Sequence, residues 1–406
     1  MSTLRVYNIE NPSTAAGGIG IATDGSVTVG GLQYPTAGPL SNRNLIINGA
    51  MRVAQRGTTS TSGGYQTVDR MDVQFGQGSH TQSQETLATS DKPFTEDGHS
   101  HFLRVTNTTG STAAAAYRGP STILEAQDIA SSGWNYKSAS SFITLSFWVR
   151  ASVSQEFYAS LATFDGTGQN YVFSFTPAAG TWTKVTKSIP GNSNLQFDLD
   201  NGPGLKISIS AFWGTNWTAS STTTDSWQTF TSTERFPDFA TTWASTDGAT
   251  FDLTGIQLEL GSKATPFEHR SYGDELARCQ RYFYTHLGTD ATADGIGTGS
   301  IWTTNQIYIA VHHPVTMRST PVFSNNISAS TPGFIRVFSA GVASFNQTGS
   351  TFGTQRCGTN CSIVYLSDFY DNANGTGGSV VTYTAGDAGW LEVYNDDLRM
   401  DFSAEL

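Results

Sequence analysis

Hydrophobic and polar residues alternate along much of the chain between residues 44 and 260. In the segment FITLSFWVRAS, Leu145, Phe147 and Val149 fall on one face, and Ser146 and Arg150 fall on the other. A period of two is typical of a β-strand that buries one face in a core. Further strands are predicted from the same pattern in QEFYASLATF, YVFSF, WTKVTKSI, LKISISAFW and FDLTGIQLEL.

Turn dipeptides separate several of these predicted strands. They are Asp165-Gly166, Asn201-Gly202 and Asp247-Gly248, in which glycine accepts the backbone conformations that tight turns require. Antiparallel strands at this spacing, without helical segments between them, predict two packed sheets such as a jelly roll. We assign residues 43–268 to this domain.

The first 42 residues are rich in Gly, Pro, Ser and Thr. Within them, GIGIA and SVTVG flank Asp24-Gly25, a pair that suits the type I′ turn of a β-hairpin. Because a single hairpin is only marginally stable in water, we expect residues 1–42 to form an arm that attaches to another protein or to other copies of the chain.

One helix is predicted after the jelly roll. Ser271 followed by Asp274 and Glu275 is typical of a helix start, and ELARCQRYFY continues with helical spacing. We expect residues 269–288 to form a linker helix and residues 289–406 to form a second, sandwich-like β-domain. Strand patterns in IYIAVHH, FIRVFSA, SIVYLS, SVVTYT and WLEVYND support this, so the predicted fold class is all-β.

Composition narrows the class of partner. Aromatic residues make up 12% of the chain, which argues against disorder, and charged residues only 14%. The net charge of -11 argues against nucleic acid and against an anionic membrane surface as partners. The N-terminus lacks an apolar signal core, and no segment is long enough to span a membrane. We therefore expect folding in a cytoplasm.

Motifs that carry chemistry are scarce. The sequence has no phosphate-binding loop, no zinc-protease motif and no nucleophile elbow, and we expect neither a cofactor nor a catalytic metal. Three cysteines are too few for a disulfide framework. Cys357 and Cys361 are expected to be reduced thiols beside a β-turn, although a small disulfide bridge is the alternative.

Two long segments resemble a known family. NRNLIINGAMRVAQRGT (residues 42–58) with YQTVDR (65–70) is similar to the opening of carbohydrate-binding sandwich domains in phage tail fibres and related virion proteins. Residues 253–284 are similar to the strand and helix that close this domain, and 314–321 to the segment that follows. The opening segment also has a structural reading, in which Asn48-Gly49 forms a turn between two short strands that start the sandwich.

The resemblance implies a location in the virion, assembled in the host cytoplasm, and a homotrimer with a glycan-binding fold. The predicted function is a trimeric tail fibre that binds host-surface polysaccharide during adsorption and contacts other virion proteins through residues 1–42. The alternative is an architectural head fibre, decoration protein or adaptor without glycan recognition.

Tryptophans between residues 213 and 243 are the candidates for glycan contact. Aromatic rings stack on the apolar faces of sugars, and polar side chains bond the hydroxyls. Trp213 shares the alternation of the preceding strand and is predicted to be in the core. Trp217, Trp227 and Trp243 lie in Ser- and Thr-rich sequence beside Asp225, and these four residues form the predicted site. Packing of the rings between subunits of a trimer is an equally weighted alternative.

The sequence disfavours two further functions, glycan cleavage and metal binding. A glycan-cleaving enzyme needs two carboxylates around the scissile bond. Any two of several turn residues could supply them: Asp165, Asp198, Asp200, Asp225 and Asp238. We expect no enzyme, because the long β-helical repeats usual in phage depolymerases are absent. His99 and His101 form an H-x-H pattern that could bind metal on a trimer axis, but a polar outer strand face is the favoured prediction.

Overall fold

The structure is a computed structural model that describes residues 8–10, 18–21, 27–29, 32–34, 42–287, 295–326, 335–371, 379–393 and 399–406. The described residues are predominantly strands, so the predicted all-β class is confirmed. The chain divides into two compact units, residues 1–275 with Leu406 and residues 276–405. No described helix is both long enough and apolar enough to traverse a lipid bilayer.

The N-terminal strands form a small antiparallel sheet of β1 (Asn8–Glu10), β2 (Gly18–Ile21), β3 (Val27–Val29) and β4 (Leu32–Tyr34). The predicted hairpin is confirmed in its strands, because Ile19 pairs with Val29. The turn residues Asp24-Gly25 lie outside the described residues. The two outer strands were not predicted.

Thirteen strands and three short helices follow between residues 42 and 275. The strands are β5 (Thr59–Ser60), β6 (Asp72–Gly76), β7 (Ser79–Thr86), β8 (His101–Thr109), β9 (Tyr117–Glu125), β10 (Phe142–Ala151), β11 (Phe157–Thr163), β12 (Gln169–Phe175), β13 (Thr183–Pro190), β14 (Pro203–Ser210), β15 (Phe212–Trp213), β16 (Trp227–Thr229) and β17 (Ala249–Leu260). The helices are α1 (Lys92–Asp97), α2 (Ala126–Ala130) and α3 (Thr242–Ser245).

These strands form two sheets with one core between them, as the alternation predicts. The first sheet has the order β13-β10-β17-β8-β7-β5. The second has the order β15-β9-β14-β11-β12-β16, and β6 also pairs with β9. Inward residues of both sheets are fully buried, among them Leu145, Phe147, Leu161, Ile207 and Leu253. The outer face of the second sheet carries the pocket described below.

The opening and closing segments of the first unit are joined to each other. The Glu268 carboxylate accepts the backbone N–H groups of Arg43 at 3.0 Å and Asn44 at 2.9 Å. The predicted turn at Asn48-Gly49 is present, although the residues on either side of it are not strands. A Cβ on Gly49 would lie 2.1 Å from the carbonyl oxygen of Ile256, so only glycine permits this approach.

Helix α4 (Tyr272–Gln280) is the predicted helix, and it is shorter than expected. Its first turn is capped as predicted, because the Asp274 N–H donates to Ser271 Oγ at 3.1 Å. The predicted linker helix of residues 269–288 is wrong at its end. Residues Phe283–Leu287 form a strand, β18, which pairs with the last strand of the chain.

The second unit contains two sheets. Its further strands are β19 (Gly295–Thr303), β20 (Gln306–His312), β21 (Val322–Asn325), β22 (Ile335–Ser339), β23 (Val342–Cys357), β24 (Cys361–Tyr370), β25 (Val380–Val381), β26 (Ala388–Val393) and β27 (Arg399–Ser403). One sheet has the order β18-β27-β21 and the other the order β20-β19-β26-β22-β23-β24-β25. Because β24 also pairs with β20, the larger sheet closes around a core that includes Ile307, Val337 and Leu391.

The three cysteines are free thiols in this structure. Cys357 ends β23 and Cys361 begins β24, on either side of the turn that joins these strands. Cys279 is buried in α4.

Candidate functional site

A pocket with a volume of about 370 Å³ opens on the outer face of the second sheet of the sandwich. This volume lies within the range of roughly 300–1,000 Å³ that is usual for small-ligand sites. The lining residues come from five strands and two loops: Gln74, Ser160, Ala162, Thr163, Phe164, Gly168, Asn170, Lys206, Ser208, Trp213, Phe230, Arg235 and Phe236.

Strand alternation creates the polar floor of this pocket. On β14, Leu205 and Ile207 face the core, so Lys206 and Ser208 face outward. Ser208 pairs with Ser160 of the neighbouring strand β11, and Lys206 pairs with Ala162. Outward positions on adjacent strands therefore lie side by side, and small side chains leave room above them.

The loop between β11 and β12 forms one wall. It contains the predicted Asp165-Gly166 turn, in which Gly166 has a φ of +62°, a value that favours glycine. The Phe164 side chain lines the pocket and is 47% exposed. Gly168 brings this loop close to the opposite wall, because the Phe230 N–H donates to its carbonyl oxygen at 2.8 Å.

The opposite wall is built from residues 230–236 and Trp213. Phe236 and Trp213 are buried and pack on each other with ring centroids 5.6 Å apart. Phe230 is half-buried at the rim. Asn170 on β12 fixes this segment, since its amide Nδ2 donates to the carbonyl oxygen of Arg235 at 2.8 Å.

Arg235 is held among aromatic rings. Its guanidinium carbon lies 5.2 Å from the ring centroid of Trp213, 5.3 Å from that of Trp217 and 5.5 Å from that of Phe230, within cation–π range. Its Nε donates to the carbonyl oxygen of Ser232 at 3.0 Å. Burial lowers the pKa of Arg235 from its ordinary value. The two terminal guanidinium nitrogens have no hydrogen-bond partner among the described residues.

Lys206 is the second cation of the pocket. Burial is the main cause that lowers its pKa; the Arg235 charge lowers it further, and the carboxylate of Asp72 opposes both effects. In the described part of the chain, Lys206 makes neither a hydrogen bond nor an ion pair. No Asp or Glu occurs among the lining residues.

Several other polar groups on the floor are also available to a ligand. The side chains of Gln74, Ser160 and Ser208 form no hydrogen bond with the described residues, and the Asn170 side-chain oxygen accepts none. None of these atoms is sealed from solvent. Because a protein rarely leaves grouped polar atoms unbonded unless water or a ligand reaches them, they offer donors and acceptors to a bound molecule.

Two of the four predicted glycan residues support the core. Trp217 is half-buried, donates from Nε1 to the carbonyl oxygen of Ala115 at 3.4 Å and contacts Arg235, but it is not among the residues that line the pocket. Trp227 is also half-buried and donates to the carbonyl oxygen of Pro190 at 2.7 Å. Direct glycan contact by these two rings stays a prediction, and so does their alternative role between subunits.

The prediction for Trp243 is wrong. Trp243 lies in the short helix α3, its side chain is fully buried, and its Nε1 donates to the carbonyl oxygen of Thr250 at 3.0 Å. A ring without exposed surface cannot stack on a sugar. Asp225 is exposed two residues before β16 and forms an ion pair with Lys187 at 2.5 Å, so a role for Asp225 in glycan binding stays a prediction.

The two histidines of the H-x-H pattern do not share an exposed strand face, so that prediction is wrong. His99 precedes β8 and is buried against Phe267, with ring centroids 4.5 Å apart, and neither of its ring nitrogens has a hydrogen-bond partner among the described residues. His101 is half-buried, and its Nδ1 lies 2.8 Å from Ser100 Oγ. No group of three or more potential metal ligands occurs among the residues that the structure describes.

The acidic turn residues have structural partners. Asp165 accepts the backbone N–H of Asp198 at 3.0 Å, and Asp200 accepts that of Gly202 at 2.9 Å. Asp238 accepts the hydroxyl of Thr218 at 2.6 Å. Burial is the main cause that raises the pKa of Asp165, and the neighbouring charges of Asp198 and Asp200 add to it. These carboxylates hold loops in place and do not line the pocket.

A second exposed aromatic surface lies on the larger sheet of the second unit. Trp302 is 62% exposed and stacks on Tyr308 with ring centroids 5.3 Å apart. Trp390 is 47% exposed and stacks on Phe338 at 5.0 Å. Sequence reasoning missed this surface, and exposed rings on alternate strand positions are the signal that could have found it.

The chain is similar to several solved structures, at low sequence identity and low TM-score. No protein-family model and no curated protein sequence matches the chain. Among solved structures, the enzymatically active domain of bacteriophage CBA120 tailspike protein 4 has 8% identity and a TM-score of 0.29, covering 54% of this chain and 21% of that chain. The chain therefore spans about a fifth of that tailspike structure.

Two other solved structures are similar over their whole length. A putative sugar binding protein from Bacteroides thetaiotaomicron has 10% identity and a TM-score of 0.28, covering 54% of this chain and 100% of that chain. The CBM22-1 xylan-binding domain from Paenibacillus barcinonensis Xyn10C has 15% identity and a TM-score of 0.26, covering 57% and 100%. These TM-scores are too low to assign a function.

Proposed function

We propose that the protein is a non-catalytic, saccharide-binding subunit of a phage particle, a trimeric tail fibre that adheres to host-surface polysaccharide. The saccharide-binding part of this proposal is supported by one observation, the pocket on the second sheet of the sandwich. It combines exposed and half-exposed aromatic rings at its rim with unbonded polar groups on its floor.

This combination matches the chemistry of a sugar ring. A sugar presents apolar C–H surfaces that stack on an aromatic face and hydroxyls that need both donors and acceptors. Phe164 and Phe230 supply the faces, and Gln74, Ser160 and Ser208 supply the hydrogen-bonding groups. Gln74, Ser160 and Ser208 lie on strands of the sheet, which fixes their positions, so binding costs little conformational order at the floor of the pocket.

The phage part of the proposal has separate support. It rests on the resemblance of residues 42–58 and 253–284 to the opening and closing segments of tail-fibre sandwich domains. The proposed self-association draws on the exposed stacks of Trp302 and Trp390, because subunit contacts bury aromatic surface. Residues 1–42 are proposed to contact other virion proteins.

The residues that line the pocket support binding without hydrolysis. Glycoside hydrolysis ordinarily needs one carboxyl group as acid and another as base or nucleophile, on either side of the bond. The residues that line this pocket include no Asp or Glu. Release of new reducing ends from host polysaccharide by the purified protein would contradict the proposal.

The test is the affinity of the purified chain for oligosaccharides prepared from host-surface polysaccharide, measured by isothermal titration calorimetry. Phe164→Ala is expected to weaken binding about tenfold, because it removes an exposed stacking face. The matched control is Phe94→Ala, which removes a phenylalanine that is 39% exposed and does not line the pocket. Unchanged affinity in Phe164→Ala would exclude this pocket as the binding site.

The architectural alternative makes a different prediction for the particle. A receptor-binding tail fibre should be labelled on the tail by antibodies in electron micrographs, and the same antibodies should block adsorption. Labelling on the capsid together with normal adsorption would favour the head-fibre or decoration role.

A further inference from the structure

The pocket contains two cations and no anion of its own. Lys206 projects from the floor and Arg235 from the wall, and the lining residues include no carboxylate. The whole chain carries a net charge of -11. Two cations that share a pocket without an acidic residue in its lining are therefore unusual for this acidic protein. Several other cations of the sandwich are paired with acids: Arg104 and Arg150 with Asp252, and Lys184 with Asp97.

The two positive charges lie close enough to repel each other. The Arg235 charge lowers the pKa of Lys206, and burial lowers the pKa of both residues. Both effects disfavour the charged forms of Lys206 and Arg235, because each loses hydration and the Asp72 carboxylate offsets only part of this cost at Lys206. A bound anion would relieve both costs.

Arg235 is oriented to receive a planar anion. Its Nε is used by Ser232, and its guanidinium is fixed among Trp213, Trp217 and Phe230. The two terminal nitrogens remain, and this fork matches the two oxygens of a carboxylate. Lys206 adds a point charge from the floor, where the free hydroxyls of Ser160 and Ser208 can bond sugar hydroxyls.

We propose that the pocket selects acidic saccharides, in which a sugar carboxylate binds between Lys206 and Arg235 and the ring lies against Phe164. This inference rests on the proposed saccharide-binding function. Asp72 on β6 acts against the selectivity, since its carboxylate offsets part of the Lys206 charge without forming an ion pair with it. Removal of the Asp72 charge is therefore expected to strengthen acidic binding.

The test compares matched probes. Each acidic sugar is paired with its neutral counterpart: tetragalacturonate with its carboxyl-reduced form, sialyllactose with its carboxyl-reduced form, and an acidic capsular polysaccharide before and after carboxyl reduction. The acidic member of at least one pair should bind the full chain at least tenfold more tightly by calorimetry. A sulfated form of the reduced probe tests the type of anion and is expected to bind more weakly than the carboxylate.

Substitutions in the pocket test whether Lys206 and Arg235 cause the selectivity for acidic saccharides. Lys206→Gln is expected to remove most of the difference between the members of a pair, and it should fold normally because Lys206 has no partner to lose among the described residues. Arg235→Gln should do the same, with folding checked by thermal melting. Asp72→Asn should increase the affinity for the acidic probe. Lys137→Gln, which removes one exposed charge outside the pocket, is the control and should change nothing.

The outcomes separate this inference from the proposed function. Equal binding of both members of every pair, with sensitivity to Phe164→Ala retained, overturns acid selectivity and leaves saccharide binding intact. Equal binding of the sulfated and carboxylated probes overturns the carboxylate assignment. No binding of any probe, acidic or neutral, overturns both.

Discussion

Acidification from pH 7 to pH 5 is expected to destabilise the first unit because of two buried histidines. His80 and His99 are each 1% exposed. Burial is the largest cause that lowers the pKa of each from 6.5 to about 4. The Arg118 charge lowers the pKa of His80 further; for His99, His269 and Lys184 lower it and Asp97 raises it.

The direction and the size of this destabilisation follow from the linkage between proton binding and folding. At pH 5 the unfolded chain, with histidine pKa values near 6.5, binds protons that the folded chain does not, so the free energy of unfolding falls as the pH falls. The lowering of a histidine pKa from 6.5 to about 4 corresponds to a loss of about 3.4 kcal/mol in the free energy of unfolding, once the histidine is protonated in both the folded and the unfolded chain. At pH 5 the free energy of unfolding is lower by about 2 kcal/mol per histidine, or by about 4 kcal/mol for the pair. The stability is fully present above about pH 6.5 and is lost towards pH 4.

Urea denaturation followed by tryptophan fluorescence at pH 7, 6 and 5 measures this effect. His99→Phe and His80→Phe should each remove about half of the pH dependence, whatever they do to stability at pH 7. Lys137→Gln, which changes an exposed charge of the first unit, is the control and should leave the slope unchanged. A free energy of unfolding that is equal at pH 7 and pH 5, or larger at pH 5, would refute the reasoning.

Two further predictions concern stability, each with a matched control. Trp243→Ala should lower the free energy of unfolding by about 3–5 kcal/mol, since the whole ring is buried. Leu199→Ala, at a side chain that is 79% exposed, should change it by less than about 0.5 kcal/mol; similar losses in urea denaturation would contradict the core placement. Gly49→Ala should lower the melting temperature, because its Cβ would meet the Ile256 carbonyl at 2.1 Å. Gly273→Ala, in a helix with open space around the new Cβ, should leave it unchanged or raise it; an equal decrease would show that the close contact is not the cause.

The strands could be predicted because their pattern is local. Alternation in FITLSFWVRAS predicts β10, and Asp165-Gly166 marks the turn after β11, since a strand with one buried face needs only its own residues to show it. The helix end could not be predicted. Residues Phe283–Leu287 become a strand by pairing with β27, more than a hundred residues further along the chain.

The pocket could not be predicted for the same reason. Phe164, Lys206 and Arg235 line one pocket only because β14, β11 and β12 are neighbours in the sheet. The local pattern of hydrophobic and polar residues does not reveal the order of strands in a sheet. The lack of alternation around the tryptophans predicts exposure, and Trp217 and Trp227 are half-buried. Their indole N–H groups donate to backbone carbonyls, that of Trp217 to Ala115 and that of Trp227 to Pro190, and direct glycan contact by these two rings stays a prediction.

The most direct test of the saccharide-binding account is amide hydrogen exchange of the full chain with and without a saturating oligosaccharide, either the acidic probe or its carboxyl-reduced form, whichever binds more tightly. Protection is expected in residues 164–170 and 230–236, the two walls of the pocket. Binding without protection of these segments, or protection confined to the second unit, would contradict the account.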